Sequence, residues 1–148
     1  MTSILIEVVE AGAWVQRARS FNTIEDFKLD ENNVDGELCA VGQMLLEYGE
    51  AYAELKAEVA RKKELTERMD AILYAKFRAT LEKPTVGEIN SAITNDASHQ
   101  AARNEEIAST ANLIKVEMWY KSLIQKIDCL KALAYKQRKE LQNIGFGG

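Results

Sequence analysis

Apolar residues recur at helical spacing over most of the chain, and the breaks between those runs set its organisation. Leu38, Val41, Leu45, Tyr48, Tyr52, Leu55 and Val59 alternate three and four apart, which holds them on one face of a helix. From about Asp35 to Leu81 only Gly36, Gly42 and Gly49 interrupt the helix formers. The stripe falters at Lys62 and Thr66, where apolar residues are due. It resumes at Leu65, Met69, Ile72, Leu73, Phe77 and Leu81 in a shifted phase, a stutter that unwinds a coiled coil locally without ending the helix. Forty-five residues at helical rise span roughly 65 Å, more than a globular domain needs.

Pro84 is the one clear stop, and Thr85 with Glu88 forms a capping box that starts the next helix through Val86, Ile89 and Ile93. Asn95-Asp96-Ala97-Ser98 reads as a bend or recapping point. Ile107, Ala111, Ile114 and Met118 then open a second long stripe, continued by Val116, Tyr120, Leu123, Ile127, Leu130, Ala134 and Leu141. Ahead of the first long helix, residues 4–19 (ILIEVVEAGAWVQRAR) read as a short amphipathic helix, although ILIEVV alone also suits a strand. Residues 20–37 are a polar connector with at most one helical turn, centred on Ile24 to Phe27.

The expected fold is all-α: a long helical hairpin plus a short N-terminal helix in a single domain. Residues 1–34 form the N-terminal helix and connector, 35–82 the first long helix, 85–144 the second arm, and 145–148 a frayed tail. A lone hairpin buries one face per helix, so assembly into a homo-oligomer is expected, with Trp119, Tyr120, Leu123, Ile127 and Leu130 at the interface.

Composition agrees: one Pro and 8 Gly in 148 residues favour long helices over a turn-rich β fold. The net charge of −4 hides a gradient. Residues 1–58 carry 12 acids against 4 bases, residues 59–110 carry 8 of each, and residues 111–148 carry 3 acids against 7 bases. Such polarity suits attraction between subunits or a basic end that meets an anionic partner. Cys39 and Cys129 stand alone, as reduced thiols of a cytoplasmic protein do. The N-terminus lacks the basic start of a signal peptide, and no run reaches membrane-spanning length, so no membrane partner is expected.

Catalytic signatures are sparse. Neither a phosphate-binding glycine loop nor a metal-ligand cluster is present, so no cofactor or metal is expected. His99 is the only histidine and reads as a solvated residue at a loop or helix end. Glu47-x-x-Glu50 and Glu67-x-x-Asp70 match the paired carboxylates with which all-α nucleotide pyrophosphohydrolases hold magnesium. On one continuous helix, however, the pairs lie roughly 30 Å apart and meet only between subunits.

Arg61-Lys62-Lys63 opens the densest basic stretch, which continues through Arg68, Lys76, Arg78 and Lys83 with Tyr74 and Phe77 among them. Cations interleaved with aromatics serve single-stranded nucleic acid, charge meeting the phosphates and flat faces the bases. The same residues also fit a solvated stripe of i,i+4 pairs, Glu58 with Lys62 and Glu64 with Arg68.

The order of these features resembles the UvsY-type recombination mediators of T-even phages. The resembling pieces are Leu29-Asp30-x-x-Asn33-Val34-x-x-Glu37 leading into a helix with Tyr48 and Tyr52, then Lys62-Lys63 and Arg68-Met69-Asp70 ahead of Tyr74. The Pro84-Thr85 break with Glu88-Ile89 and Asp96 follows, and Trp119-Tyr120 precedes Leu123, Ile127, Leu130, Leu133, Lys136 and Arg138. The likeness covers roughly residues 29–144 through order and spacing. It implies a non-enzymatic, ring-like homo-oligomer in the cytoplasm of an infected host. That assembly would bind single-stranded DNA, loosen the single-strand-binding protein and load a RecA-like recombinase. The family's basic segment has a Lys where this chain has Thr66. The DNA-binding set expected here is therefore Arg61, Lys62, Lys63, Arg68, Lys76 and Arg78, weighted away from Arg68. A helical scaffold or adaptor is the competing reading.

Overall fold

The computed structural model describes residues 1–146; the last two positions of the expected tail, Gly147 and Gly148, lie outside them. Two strands, β1 (Thr2–Glu10) and β2 (Ala13–Phe21), precede a single helical turn, α1 (Thr23–Phe27). The long helix α2 (Val34–Thr80), the short α3 (Val86–Asn95) and the long α4 (Ala97–Phe146) complete the chain.

The long helical hairpin is present. Glu58 faces Ser109, Lys62 faces Glu105 and Asp70 faces His99, the descending order of two antiparallel helices. Buried positions recur every seventh residue on both: Val34, Val41, Tyr48, Leu55 and Lys62 on α2, and Ser109, Val116, Leu123 and Leu130 on α4. A strict seven-residue repeat keeps one seam facing the partner helix, as in a coiled coil.

This seam corrects the stripes read from sequence. Lys62 and Thr66 keep their places in it and are buried, and it continues through Met69, Leu73 and Phe77. The phase holds through Met69 and Leu73 and moves by one residue only at Phe77, and Leu65, Ile72 and Leu81 are left outside. On α4, likewise, Ile107, Ile114 and Met118 do not begin the buried stripe; they are exposed.

Helix ends follow the local code. α2 stops at Thr80, and Thr85 accepts from the Glu88 backbone while the Glu88 carboxylate accepts from the Thr85 backbone, both at 3.2 Å. Asp96 ends α3 and accepts from the Ser98 N–H at 2.8 Å, recapping the chain into α4.

Residues 4–19 are not a helix. They form an antiparallel hairpin in which Ile4 pairs with Arg19, Ile6 with Arg17 and Val8 with Val15. Ala11 and Gly12, both at positive φ, make the two-residue connection, the backbone shape whose twist matches the flanking strands. The strand wins because Ile4 and Ile6 alternate with exposed Leu5, a period of two that buries one side. Those side chains enter the groove between the long helices, where Ile4, Ile6 and Phe21 join Tyr48, Ala51, Leu55, Val116 and Leu123 in the central core. Phe21 lies 4.5 Å from the Tyr48 ring and 5.6 Å from Trp119, which meets Tyr48 edge-on. The residues expected at an oligomer interface are thereby largely occupied at home. Leu123 and Leu130 are fully buried within the one chain, Trp119 and Tyr120 pack on the central core, and Ile127 packs on the cluster of Val34, Val41 and Leu130.

The connector is pinned as well. The Tyr48 hydroxyl donates to Asp26 at 2.8 Å, and buried Lys126 donates to the Asp26 carbonyl at 2.9 Å while pairing with Glu37 at 2.6 Å.

Ile6→Ala removes a fully buried side chain and is expected to cost about 2–5 kcal/mol, read as a lower urea midpoint for the whole helical transition. A hairpin that melts separately, leaving that transition unmoved, contradicts this packing. Gly42→Ala goes the other way. A Cβ there meets nothing within 4 Å, so the helix should gain about 0.5–1 kcal/mol.

Candidate nucleic-acid interface

The six cations expected to bind DNA divide into two groups. Arg61 and Lys62 belong to a polar layer set into the apolar seam. Lys62, only 8 % exposed, donates to Glu7 of β1 and Glu105 of α4, each at 3.0 Å. Arg61 pairs with the other Glu7 oxygen and lays its guanidinium over the Trp14 ring, 4.1 Å from the centroid. Glu58, also buried, accepts from Ser109 at 3.2 Å through one carboxylate oxygen, and its other oxygen is buried without a hydrogen-bond partner. Thr66 closes the layer by donating to the Lys62 carbonyl at 3.0 Å. Lys62, of the expected DNA-binding set, is therefore occupied within the fold by Glu7 and Glu105. Its buried ammonium cannot leave Glu7 and Glu105 without stranding charge in the interior.

Titration follows from this geometry. Burial alone would raise the Glu7 carboxyl, but hydrogen bonds and charge from Lys62 and Arg61 outweigh it and hold the group below the ordinary value of 4.5. Burial likewise opposes the Lys62 ammonium, yet Glu105 and Glu7 hold it above the usual lysine value. Glu58 goes the other way: burial pushes its carboxyl up, and the neighbouring Glu7 charge adds to that, against the nearby Glu7 backbone and the bond from Ser109.

The second group is at the surface. Arg68 is held only by Glu64, one turn back at 2.6 Å, with both side chains well exposed. Lys63, Lys76 and Arg78 are exposed and make no ion pair among the described residues. They do not share a face: at 100° per residue Lys63 and Arg78 differ by roughly 60°, while Lys76 points away from both. What the fold does bring together is Arg78 with Lys83, a residue outside the expected set. Both line a groove of about 460 Å³ at the α2–α3 turn with Tyr74, Leu81, Pro84, Val86 and Ile89. Lys83 holds a φ of 44° ahead of Pro84, a left-handed conformation that costs a side-chain-bearing residue energy.

Three features escaped sequence reasoning. Glu7 and Glu105 lie 55 and 43 residues from Lys62, beyond any local rule. Trp14 had a signal, an aromatic beside a two-residue turn, hidden by the helical reading of residues 4–19. His99 is not free in solvent; its Nδ1 lies 2.5 Å from Asp70, beside a groove of about 570 Å³ that also takes in Tyr74, Asn90 and Thr94. Because α2 runs unbroken through residues 51–66, Glu47 and Glu50 stay roughly 30 Å from Glu67 and Asp70. No helix is long and apolar enough to cross a membrane among the described residues. In comparisons with known proteins no family model, curated sequence or solved structure matches the chain.

Lys62→Ala is expected to cost about 3–5 kcal/mol by leaving Glu7 short of a partner in the interior, whereas Lys63→Ala should stay within about 0.5 kcal/mol of wild type; paired urea melts decide. The carboxylates give opposite pH limbs. Glu7, depressed in the fold, contributes stability present above about pH 4.5 and lost as the pH falls through its native pKa. Glu58, raised in the fold, makes stability fall as the pH rises from 4.5 through its native pKa. Glu58→Gln keeps an acceptor for Ser109, so it should be more stable than wild type at pH 7, with the gain shrinking towards pH 4. Equal effects at both pH values would show that the fold does not raise the Glu58 carboxyl.

Proposed function

We propose that this chain is a non-enzymatic recombination mediator. On this reading it binds single-stranded DNA as a homo-oligomer and promotes loading of a RecA-like recombinase in place of single-strand-binding protein. The observation that carries the reading is the set of exposed, unpaired cations at the closed end of the helical hairpin. Arg78 and Lys83 line the groove at the α2–α3 turn together with Tyr74, and Lys76 lies on the other side of α2 over the Phe77 ring. Phosphates attract such cations, and each one that releases a counterion makes binding depend on salt. The strained Lys83 adds support, because backbone held in a sparsely populated region is concentrated at binding sites.

Self-association draws on a different surface from the one expected. Ile107, Ile114 and Met118 are 54, 53 and 64 % exposed on one side of α4, at the spacing of a helical seam with Ala111 between them. A contiguous apolar strip of this kind is typical of an interaction face. Three cations near the closed end of one subunit give weak binding to a strand, and a set of subunits on one strand multiplies it.

The scaffold or adaptor reading keeps one observation on its side: in the middle of the rod each of Arg61, Lys62 and Arg68 already has a carboxylate partner. Titrating a labelled oligothymidine against the protein at increasing salt separates the two. The mediator predicts a straight negative log–log slope that becomes shallower by about one per cation reversed in Lys76→Glu, Arg78→Glu and Lys83→Glu. Native mass measured with and without the oligonucleotide tests the oligomer. Absence of binding even at low salt leaves the adaptor reading alone.

A further inference from the structure

Trp14 is poorly explained as a packing residue. It stands two positions past the Ala11–Gly12 turn, 40 % exposed, opposite exposed Val9, and contributes to none of the core clusters. Its ring instead walls a groove of about 620 Å³ that runs along α2. Ala57 and Ala60 line that groove without filling it, and Leu65, exposed at 41 %, lies further along. The Arg61 guanidinium, held by Glu7, stacks on the indole, while Arg68 lies in the same lining, tied only to its exposed neighbour Glu64.

These parts specify a ligand. A half-exposed indole beside alanines and a leucine offers flat apolar contact to one aromatic plane. Only one cation is free to turn, since Arg61 is fixed from below and the exposed Arg68–Glu64 pair is cheaply exchanged. Glu64 stands in the lining, so a ligand carrying several negative charges, such as an acidic peptide, meets one cation and one repelling carboxylate. A planar, uncharged ring with a single negative group beside it fits better.

We propose that this groove holds one nucleobase of single-stranded DNA, stacked on Trp14 against Leu65, with Arg68 turned from Glu64 to the adjoining phosphate. The proposal rests on the single-stranded DNA reading above and adds to it a contact supplied by the β-hairpin, away from the basic α2–α3 turn.

The test compares two oligonucleotides of equal length and charge, oligothymidine and the same backbone carrying abasic sites. Wild-type protein should prefer oligothymidine, and that strand should quench tryptophan emission, since the second tryptophan, Trp119, is packed in the core. Trp14→Ala should weaken oligothymidine binding about 5- to 100-fold and leave abasic binding nearly unchanged, so that the preference collapses. Trp14→Phe, which keeps a ring, should restore most of it. Leu65→Asp leaves the hairpin untouched and should cause a similar loss, which covers the case of a Trp14→Ala protein that does not fold. A preference for bases that survives both Trp14→Ala and Leu65→Asp overturns this site while leaving the mediator reading in place. Displacement of the quenching strand by an acidic peptide at lower concentration than by free oligothymidine also overturns it, making the groove a protein-docking site. Failure of wild-type protein to bind either strand at low salt overturns both readings.

Discussion

One buried ammonium ties the molecule together. Position 62 belongs to the seven-residue repeat that the coiled coil fills with Val34, Val41, Tyr48 and Leu55, yet it holds a lysine, 8 % exposed. A cation there is tolerable only with partners, and Lys62 takes one from each neighbouring segment, Glu7 of β1 and Glu105 of α4. The pairing also selects the register. A purely apolar repeat could be matched equally well after a slide of seven residues, but such a slide puts Asn112 or Ser98 where Glu105 stands. Neither carries the charge that Lys62 requires. A polar residue at a seam position fixes alignment in this way at some cost in stability.

The same ion explains why the hairpin belongs to the fold. Ile4, Ile6 and Phe21 supply apolar area to the central core, which by itself would accept many arrangements of a short amphipathic segment. Glu7, between them and the turn, has only one productive position, set by Lys62 and Arg61 together. Apolar burial provides the driving force, and the carboxylate provides the direction. Glu58 adds a buried carboxylate from α2 that accepts from Ser109 of α4, a second polar tie between the two long helices in the same layer.

The parts of this structure that were legible in the sequence are those decided by neighbours along the chain. Pro84, the Thr85–Glu88 box, the recapping at Asp96 and the turn around Ile24 to Phe27 all stand as read, and so do two long helices in antiparallel hairpin form. The misread parts depend on partners far away. Residues 4–19 carry a period of two, but Leu5 and Val9 are apolar as well and blur it into something a helix can also accommodate. Lys62 and Thr66 showed as a gap in the stripe, and the gap was real. Whether a polar residue in a seam marks a shift of the helix or a buried network depends on what faces it, and here that lies 43 and 55 residues away. The basic segment divides into paired and unpaired cations for the same reason: charge is visible in a sequence, whereas neutralisation is a tertiary property.

Neutralisation has a pattern with consequences for how such a rod meets DNA. Around the polar layer the cations are matched by Glu7, Glu105 and Glu64, while Lys76, Arg78 and Lys83 at the closed end of the hairpin are not. A single rod therefore offers phosphates only a small group of cations at its closed end, too few there for firm binding. Copies placed side by side along the Ile107–Met118 strip with their axes in the same direction would set their closed ends together. On the proposed reading, affinity for the strand is then a property of the row, and the unpaired tips add along one backbone. Stacking at Trp14 would act part-way up the side of each rod, where charge is already satisfied and flat apolar contact is the attraction left. The proposed base contact at Leu65 and the cation Arg78 at the tip are separated along α2 by 13 residues, about 20 Å. A flexible single strand can follow that geometry by weaving between tip and flank. A stiff duplex cannot, so the spacing itself would discriminate between them.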